Sequence, residues 1–143
     1  MRVKRLAAAA FRVVAVMEGE GCPTEEFLAS IQGKLCASRD GLLEMLQFVA
    51  ERGLAAMPHA WSHEVNKQES ILEFIKGDLR LFYFRGKNGD IAVCSGGVVK
   101  KGRKADKSAV AKAIAHRNSY MEAVKNGTCQ LIQDEDDETQ QGA

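Results

Sequence analysis

The stretch from Leu79 to Lys104 constrains the fold most strongly, because it combines a hairpin signal with a block of positive charge. Two runs of strand-forming residues, Leu79 to Phe84 and Ile91 to Val99, flank the pair Asn88-Gly89. An Asn-Gly pair tolerates the positive φ angles that tight hairpin turns require. The sequence therefore predicts a β-hairpin.

The second predicted strand leads directly into cations. Residues 76–117 hold eleven basic and three acidic side chains, although the formal net charge of the whole chain is only +1. A strand end that presents several cations in fixed positions favours a polyanion such as nucleic acid as the ligand. The alternative is a charged strand end that is simply solvated. The block consists of Lys100, Lys101, Arg103 and Lys104.

Length and cysteine spacing narrow the class of protein. A chain of 143 residues fits one domain that can bury a core without disulfides or metal. The four cysteines have no paired spacing, so the sequence predicts neither a zinc site nor a disulfide framework, and no cofactor. No apolar run has the roughly 18 residues of a membrane span, and Arg12 interrupts the alanine-rich start that resembles an export signal. We expect a cytoplasmic protein.

The order of the remaining elements follows from periodicity. Phe11 to Met17 is rich in β-branched residues and predicts the first strand, and Pro23 to Ile31 predicts a short helix. Leucines at three- and four-residue intervals predict a second helix from Ser38 to Gly53, antiparallel to the first. Residues 55–70 read as irregular, and Ile71 to Ile75 reads as a short strand before the hairpin.

The end of the chain predicts a helix and then a tail. Asp106 or Ser108 can cap a helix that runs to about Lys125. We divide the chain into an N-terminal extension (residues 1–10), a domain (residues 11–127) and an acidic flexible tail (residues 128–143). The tail is either a solubilising end or a mask over the basic block, since residues 134–138 are all acidic. Helices separated from consecutive strands predict an α+β fold with a mostly antiparallel sheet.

Several short sequence motifs follow one another in this order. They are Gly21, Pro23, Glu26, Phe27 and Leu28 in the first helix region, then Arg80-Leu81-Phe82-Tyr83-Phe84 and Val99-Lys100-Lys101 in the hairpin. Their joint order resembles the phage-derived Gp49-like (HigB-like) branch of the RelE/ParE toxin superfamily. The resemblance covers about Phe11 to Val124. One departure is Ser95-Gly96-Gly97, where family members have a His-Gly-Phe-like segment.

The resemblance implies a fold and a function. The implied fold is RelE-like, a small mostly antiparallel sheet with an N-terminal helical pair and a C-terminal helix packed on it. The implied protein is the toxin of a type II toxin-antitoxin system, a metal-independent endoribonuclease that cleaves mRNA on the ribosome. Its partner is a helix-turn-helix antitoxin, through which alone it reaches operator DNA. The alternative is a non-catalytic binder, either a ParE-like DNA gyrase inhibitor or a degenerate toxin-fold protein.

The candidate site residues lie in and around the hairpin. RNA cleavage requires a base, stabilisation of extra phosphate charge and a proton for the leaving oxygen. Arg80 reads as a phosphate-stabilising cation or, alternatively, as a structural partner of Asp78 or Glu73, and Tyr83 as a hydroxyl donor, a base-stacking ring or a core residue. His116 is a conceivable acid or base, or a solvated helix residue. The predicted catalytic residues are Arg80, Lys100, Lys101 and Tyr83, and the predicted RNA-binding residues are Lys76, Arg85, Arg103, Lys104 and Lys107.

Overall fold

A seven-stranded sheet forms the centre of the part of the chain that the computed structural model describes, residues 1–102 and 106–132. The strand order across the sheet is β3-β4-β5-β6-β2-β1-β7. The strands are β1 (Arg2–Ala8), β2 (Arg12–Val16), β3 (Ser62–Asn66), β4 (Ile71–Lys76), β5 (Leu79–Phe84), β6 (Asp90–Val99) and β7 (Gln130–Ile132).

Three helices cover the sheet: α1 (Pro23–Ser30), α2 (Cys36–Arg52) and α3 (Lys107–Asn126). Helix α1 begins at Pro23, because the fixed φ angle of proline suits the first turn of a helix. Helix α3 is capped by the Asp106 carboxylate, which accepts a hydrogen bond from the Ala109 N–H at 3.0 Å. Gly127, at φ 70°, ends α3. None of the helices in residues 1–102 and 106–132 is both long and apolar enough to cross a membrane.

The core has two parts, one on each face of the sheet. Helices α1 and α2 pack on one face through residues such as Leu28 and Leu46, and α3 packs on the other face through Val110 and Tyr120. Because both faces are covered, Val13 and Val14 of β2 are both fully buried although they point in opposite directions.

The predicted fold class is wrong. The sheet is mixed, because β2 pairs in parallel with β6 and β1 pairs in parallel with β7. The pair of N-terminal helices also fails, since two strands come first and α1 and α2 follow them. The physical reason is a long crossover: after β2 the chain forms both helices and three further strands before β6 returns beside β2.

Three regions that the sequence assigned to irregular or peripheral structure are strands. Gln130–Ile132, placed in the flexible tail, pairs in parallel with β1. Arg2–Ala8, placed in the extension, pairs on both sides, with β2 and with β7. Ser62–Asn66, within the stretch that reads as irregular, pairs antiparallel with β4 at the edge of the sheet. Basic and polar residues obscure the alternating apolar pattern of β1 and β3. Val3 is the only buried residue in these two strands.

The hairpin and the helix that follows it are confirmed. Strand β5 has the predicted bounds, β6 begins one residue earlier than predicted, and α3 follows the basic block. Asn88 and Gly89 have φ angles of 54° and 94°, as the hairpin signal requires. Arg103, Lys104 and the acidic residues 134–138 lie outside the described residues, so the predicted mask over the basic block is untested.

The Ser95-Gly96-Gly97 segment has a local explanation. It lies at a bulge in the β5–β6 pairing, and Gly96 has a φ angle of 135° that favours glycine. A Cβ atom at Gly97 would lie 2.5 Å from Phe27 Cδ2 and 2.7 Å from the Arg80 carbonyl oxygen. The close approach of α1 to β6 therefore excludes a larger side chain at position 97.

Candidate functional site

The face of the sheet that carries α3 is open beside the start of that helix. A cavity of about 400 Å³ lies there, and residues from β3, β4, β5 and the end of β6 line it. Val65, Phe82 and Val98 supply apolar walls. The polar and charged lining residues are His63, Glu73, Arg80, Lys100, Lys101 and Asp106.

Strand register brings the central residues together. His63 of β3 is paired with Glu73 of β4, and Glu73 is paired with Phe82 of β5. Arg80 lies two positions from Phe82, on the same side of β5, and is paired with Val98 of β6. One face of three adjacent strands, β3, β4 and β5, therefore presents His63, Glu73 and Arg80 as close neighbours.

Glu73 is a carboxylate in an unusual place, because only 6% of its side chain is exposed. Its Oε1 atom lies 3.1 Å from His63 Nε2 and 3.6 Å from Arg80 Nε. A buried carboxylate requires compensating charge, and the arginine supplies it. The His63 side chain is 55% exposed, so the imidazole is the part of this pair that solvent and a ligand can reach.

The Arg80 guanidinium is held firmly but is not saturated. Its Nη1 donates hydrogen bonds to the Gly77 carbonyl at 2.7 Å and to the Leu79 carbonyl at 2.9 Å. The buried Nε has no hydrogen-bond partner in the described part of the chain, since 3.6 Å to Glu73 is too long for a hydrogen bond. The Arg80–Glu73 contact is therefore an ion pair, and guanidinium donors remain for a ligand.

Two lysines complete the positive side of the cavity. The Lys100 N–H donates to the Asp78 carbonyl at 2.7 Å, which fixes the end of β6 beside the turn that precedes β5. Lys101 follows as an exposed residue. With histidine neutral, three cations and two carboxylates give the lining a formal charge of +1, and one of those carboxylates, Asp106, is engaged as the α3 cap.

Three of the predicted catalytic residues, Arg80, Lys100 and Lys101, line this cavity. Tyr83 lies on the other face of the sheet, 1% exposed, with its ring stacked on Phe74 at 3.9 Å. Its hydroxyl is 2.7 Å from Ser62 Oγ, and burial raises the pKa of the phenol above its ordinary value. Tyr83 is therefore a core residue that stays protonated at neutral pH.

The predicted RNA-binding residues are dispersed. The Lys76 side chain extends toward Gly41 of α2, on the side of the sheet opposite the cavity. Arg85 lies beyond β5 at the turn end of the hairpin, and Lys107 begins α3 next to Asp106. Arg103 and Lys104 fall in the gap between the two described ranges.

Sequence reasoning did not assign His63 to this site, and it gave Glu73 only a structural role as a possible partner of Arg80. The signal for Glu73 is present, because a single carboxylate interrupts the apolar run Ile71 to Ile75. A charge in the middle of a buried strand requires a partner and is often functional. His63 carries no such signal, since its place follows from the pairing of a polar edge strand.

Comparisons with known proteins add no family assignment. No protein-family model matches the chain, and no curated protein matches its sequence. Within residues 1–102 and 106–132 no group of three or more histidine, cysteine, aspartate or glutamate side chains is arranged to hold a metal ion. The side chains that line the cavity are therefore the indication of its chemistry.

Proposed function

We propose that the chain binds RNA in this cavity and cleaves it as a metal-independent endoribonuclease. The observation that carries the proposal is the meeting of Arg80, Lys100 and Lys101 with the His63–Glu73 pair in one cavity. Arginine and lysine side chains stabilise phosphate charge, and histidine is the side chain that enzymes use most often as a general acid or base.

The different exposure of His63 and Glu73 supports different catalytic roles for the two side chains. We assign the proton of the neutral ring to His63 Nε2, which lies 3.1 Å from the Glu73 carboxylate, so that Nδ1 keeps its lone pair. His63, the exposed partner, is the general base, and Glu73 orients the ring and stabilises its protonated form. The Arg80 guanidinium, with Nε 3.6 Å from Glu73 Oε1, supplies an opposite charge on the other side of the carboxylate.

The reaction transfers the phosphorus from one ribose oxygen to another. The 2′-hydroxyl gives its proton to His63 Nδ1 as its oxygen attacks phosphorus, and the bond to the 5′-oxygen breaks. A lysine ammonium, Lys100 or Lys101, supplies the proton that the leaving 5′-oxygen takes. Arg80 stabilises the extra negative charge of the five-coordinate phosphorus. The products are a 2′,3′-cyclic phosphate and a 5′-hydroxyl end.

The biological role that we propose for this activity is supported by the sequence motifs and not by the cavity. It comprises the cytoplasmic toxin of a toxin-antitoxin pair, a helix-turn-helix antitoxin as partner, and mRNA on the ribosome as substrate. The second candidate is a non-catalytic binder, either a ParE-like DNA gyrase inhibitor or a degenerate toxin-fold protein kept for partner binding. It differs from the first in a single measurable property, the appearance of new RNA ends.

The test is an RNA cleavage assay with the purified chain, with and without ribosomes. We expect fragments whose 5′ ends accept phosphate from a polynucleotide kinase without prior phosphatase treatment. His63→Ala should lower the cleavage rate by about 100-fold or more, because general base catalysis contributes roughly 10²–10⁴-fold. Its matched control is His59→Ala, which removes an exposed histidine that does not line the cavity.

Two outcomes would overturn the proposal. If the wild-type chain leaves RNA intact with and without ribosomes, the catalytic reading is wrong and only binding remains. If cleavage occurs but His63→Ala cleaves as fast as His59→Ala, the site is elsewhere. Arg80→Ala and the control Lys125→Ala, an exposed cation in the last turn of α3, repeat the comparison for the phosphate contact.

A further inference from the structure

A second group of polar residues connects three parts of the fold away from the His63–Glu73 pair. Ser95 Oγ of β6 lies 2.6 Å from His116 Nδ1 of α3. His116 Nε2 lies 2.7 Å from Glu18 Oε1, in the turn that follows β2. Both distances are those of good hydrogen bonds, and the three residues form a serine–histidine–carboxylate chain.

The carboxylate end of this chain is held by its backbone. The Glu18 N–H donates to the Gly21 carbonyl at 2.9 Å, and the Gly21 N–H donates to the Glu18 carbonyl at 3.0 Å. This reciprocal pair closes a tight turn and fixes the direction from which Glu18 reaches His116. The His116 side chain is only 12% exposed, so neighbouring structure restricts the ring as well.

The hydrogen-bond partners determine where the protons lie. The Glu18 carboxylate can only accept, so the neutral imidazole carries its proton on Nε2. Nδ1 then has a lone pair, and the Ser95 hydroxyl donates its proton to it. The serine proton therefore already points at a base whose other nitrogen is held by a carboxylate, which is the arrangement of an activated nucleophile.

Ser95 also borders open space. A second cavity, of about 280 Å³, lies beside the start of α3, and it shares Phe82, Val98 and Asp106 with the first cavity. Its wall includes Gly96, directly after Ser95, and Ser108 in the first turn of α3, where backbone N–H groups have no acceptor within the helix. Lys112 also lines this cavity, and its positive charge would favour the oxyanion that forms on the carbonyl oxygen of a substrate when Ser95 attacks.

We propose that Ser95, His116 and Glu18 form a second catalytic site, at which Ser95 attacks the carbonyl carbon of a short-chain carboxylic ester. The arrangement differs from the usual triad in that Nδ1, and not Nε2, faces the serine. Either ring nitrogen can act as the base when the other carries the proton, so the hydrogen bonds of the ring and not the name of the nitrogen decide the role. The small volume and the apolar walls of Phe82 and Val98 restrict the acyl group to a few carbons.

The reaction has two balanced halves. In the first, the Ser95 proton passes to His116 Nδ1 while Oγ bonds to the carbonyl carbon, and the alcohol leaves with that proton. In the second, water gives a proton to Nδ1 as its oxygen attacks the acyl-serine ester. The carboxylic acid departs, and Ser95 Oγ recovers its proton from His116. Glu18 stabilises the imidazolium in both halves and is a positioning residue.

The first test is covalent labelling of the intact chain with a fluorophosphonate, which transfers its phosphonyl group to an activated serine. We expect one adduct on wild-type protein, in the tryptic peptide of residues 88–100, where Ser95 is the only serine. Fragment spectra separate it from Cys94, whose thiol is fully buried. Absence of an adduct at Ser95 overturns the proposal, and this result needs no variant that has to fold.

The second test uses variants. Ser95→Ala should abolish the adduct and His116→Gln should slow labelling by about 100-fold, whereas Ser119→Ala, which removes an exposed serine of α3, should label within twofold of wild type. Equal labelling of His116→Gln and wild type overturns the assignment of the base. Thermal melts establish that each variant is folded.

The role of Glu18 has a kinetic signature. With p-nitrophenyl acetate as the probe, Glu18→Gln should lower kcat by about 10-fold or more and leave KM within twofold, because an orienting carboxylate acts on the imidazolium and not on substrate binding. Glu18→Asp should restore part of kcat. A kcat equal to that of wild type in Glu18→Gln removes Glu18 from the site. RNA cleavage by the same variants should stay unchanged, since the first cavity contains none of these three residues.

Discussion

Substitution of Gly97 by alanine is the sharpest test of how α1 and the hairpin fit together. A Cβ atom at position 97 would lie 2.5 Å from Phe27 Cδ2 and 2.7 Å from the Arg80 carbonyl oxygen, well inside van der Waals contact. The ring is partly buried against the core and the carbonyl belongs to an inner strand, so neither can move without disturbing its neighbours.

The magnitude follows from this overlap. Overpacking of a well-packed site typically costs about 1–3 kcal/mol, and the loss of glycine freedom in the unfolded chain returns about 0.4–1 kcal/mol. We expect Gly97→Ala to lower the free energy of unfolding by about 1–2 kcal/mol, the difference between the middle values of these two ranges. Because Arg80 carries the carbonyl that must shift, the affinity for RNA should fall as well.

Gly41 provides a matched control with the opposite expectation. A Cβ atom there would lie 2.5 Å from Lys76 Cε, but an exposed lysine side chain can rotate away. Gly41 lies within α2, where alanine is favoured over glycine by about 1 kcal/mol. Gly41→Ala should therefore be neutral or stabilising.

Urea denaturation at equilibrium measures both variants, with the midpoint shifting and the slope m unchanged. The contrast between the two alanines removes effects common to any glycine replacement, such as the change in the unfolded chain. If Gly97→Ala unfolds at the same urea concentration as wild type, the packing of α1 on β6 described above is incorrect, and so is the explanation of the Ser95-Gly96-Gly97 segment.

Three further predictions concern charge, a buried hydrogen bond and pH. Single-stranded RNA affinity should fall with salt, and replacing both Lys100 and Lys101 by alanine should reduce the slope of log K against log salt concentration by about 1.4, at roughly 0.7 for each lost phosphate contact. Fluorescence anisotropy at several salt concentrations measures this slope. An unchanged slope would place the phosphate elsewhere. Tyr120→Phe removes the hydroxyl that donates to Asp90 Oδ2 at 2.8 Å. Urea denaturation should show a decrease of about 1.5–3 kcal/mol in the free energy of unfolding. A decrease below about 0.5 kcal/mol, which is typical of a surface substitution, would contradict this prediction. Burial raises the pKa of Tyr83 in the folded state above its value in the unfolded chain. The unfolded chain therefore loses the phenol proton first as the pH rises. The contribution of Tyr83 to the free energy of unfolding should be complete below about pH 10 and should decline above it. Tyr83→Phe should decline less steeply between about pH 9 and 11 in thermal melts, and an identical pH profile would refute this contribution.

The elements that the sequence predicts well are those that local chemistry determines. The Asn88-Gly89 turn sets the hairpin, and Pro23 and Gly127 mark a helix start and a helix end with residues that are suited to those positions in any protein. Such signals act over a few residues and do not depend on the rest of the chain, so the hairpin and the final helix could be predicted.

The mixed sheet could not be predicted in this way, because long-range pairing determines it. In β1, Arg2, Lys4 and Arg5 conceal a strand whose only fully buried residue is Val3. Its place follows from pairing with β2 on one side and with β7, more than a hundred residues later, on the other. A strand of this kind has no intrinsic preference that outweighs its charged composition.

The candidate site shows the same distinction between local and long-range determination. Arg80, Lys100 and Lys101 belong to one hairpin, so local pairing was enough to predict that they converge. His63 comes from an edge strand, and its partner Glu73 comes from the strand between that edge and the hairpin.

What unites these residues is a face of the sheet that α3 leaves uncovered at one end, where a polar side chain on a strand meets a cavity instead of a helix. The useful sequence signal is therefore a charge inside an apolar strand, of which Glu73 is the example. Such a charge is costly in a core that is covered on both faces, and it is retained where the covering helix ends.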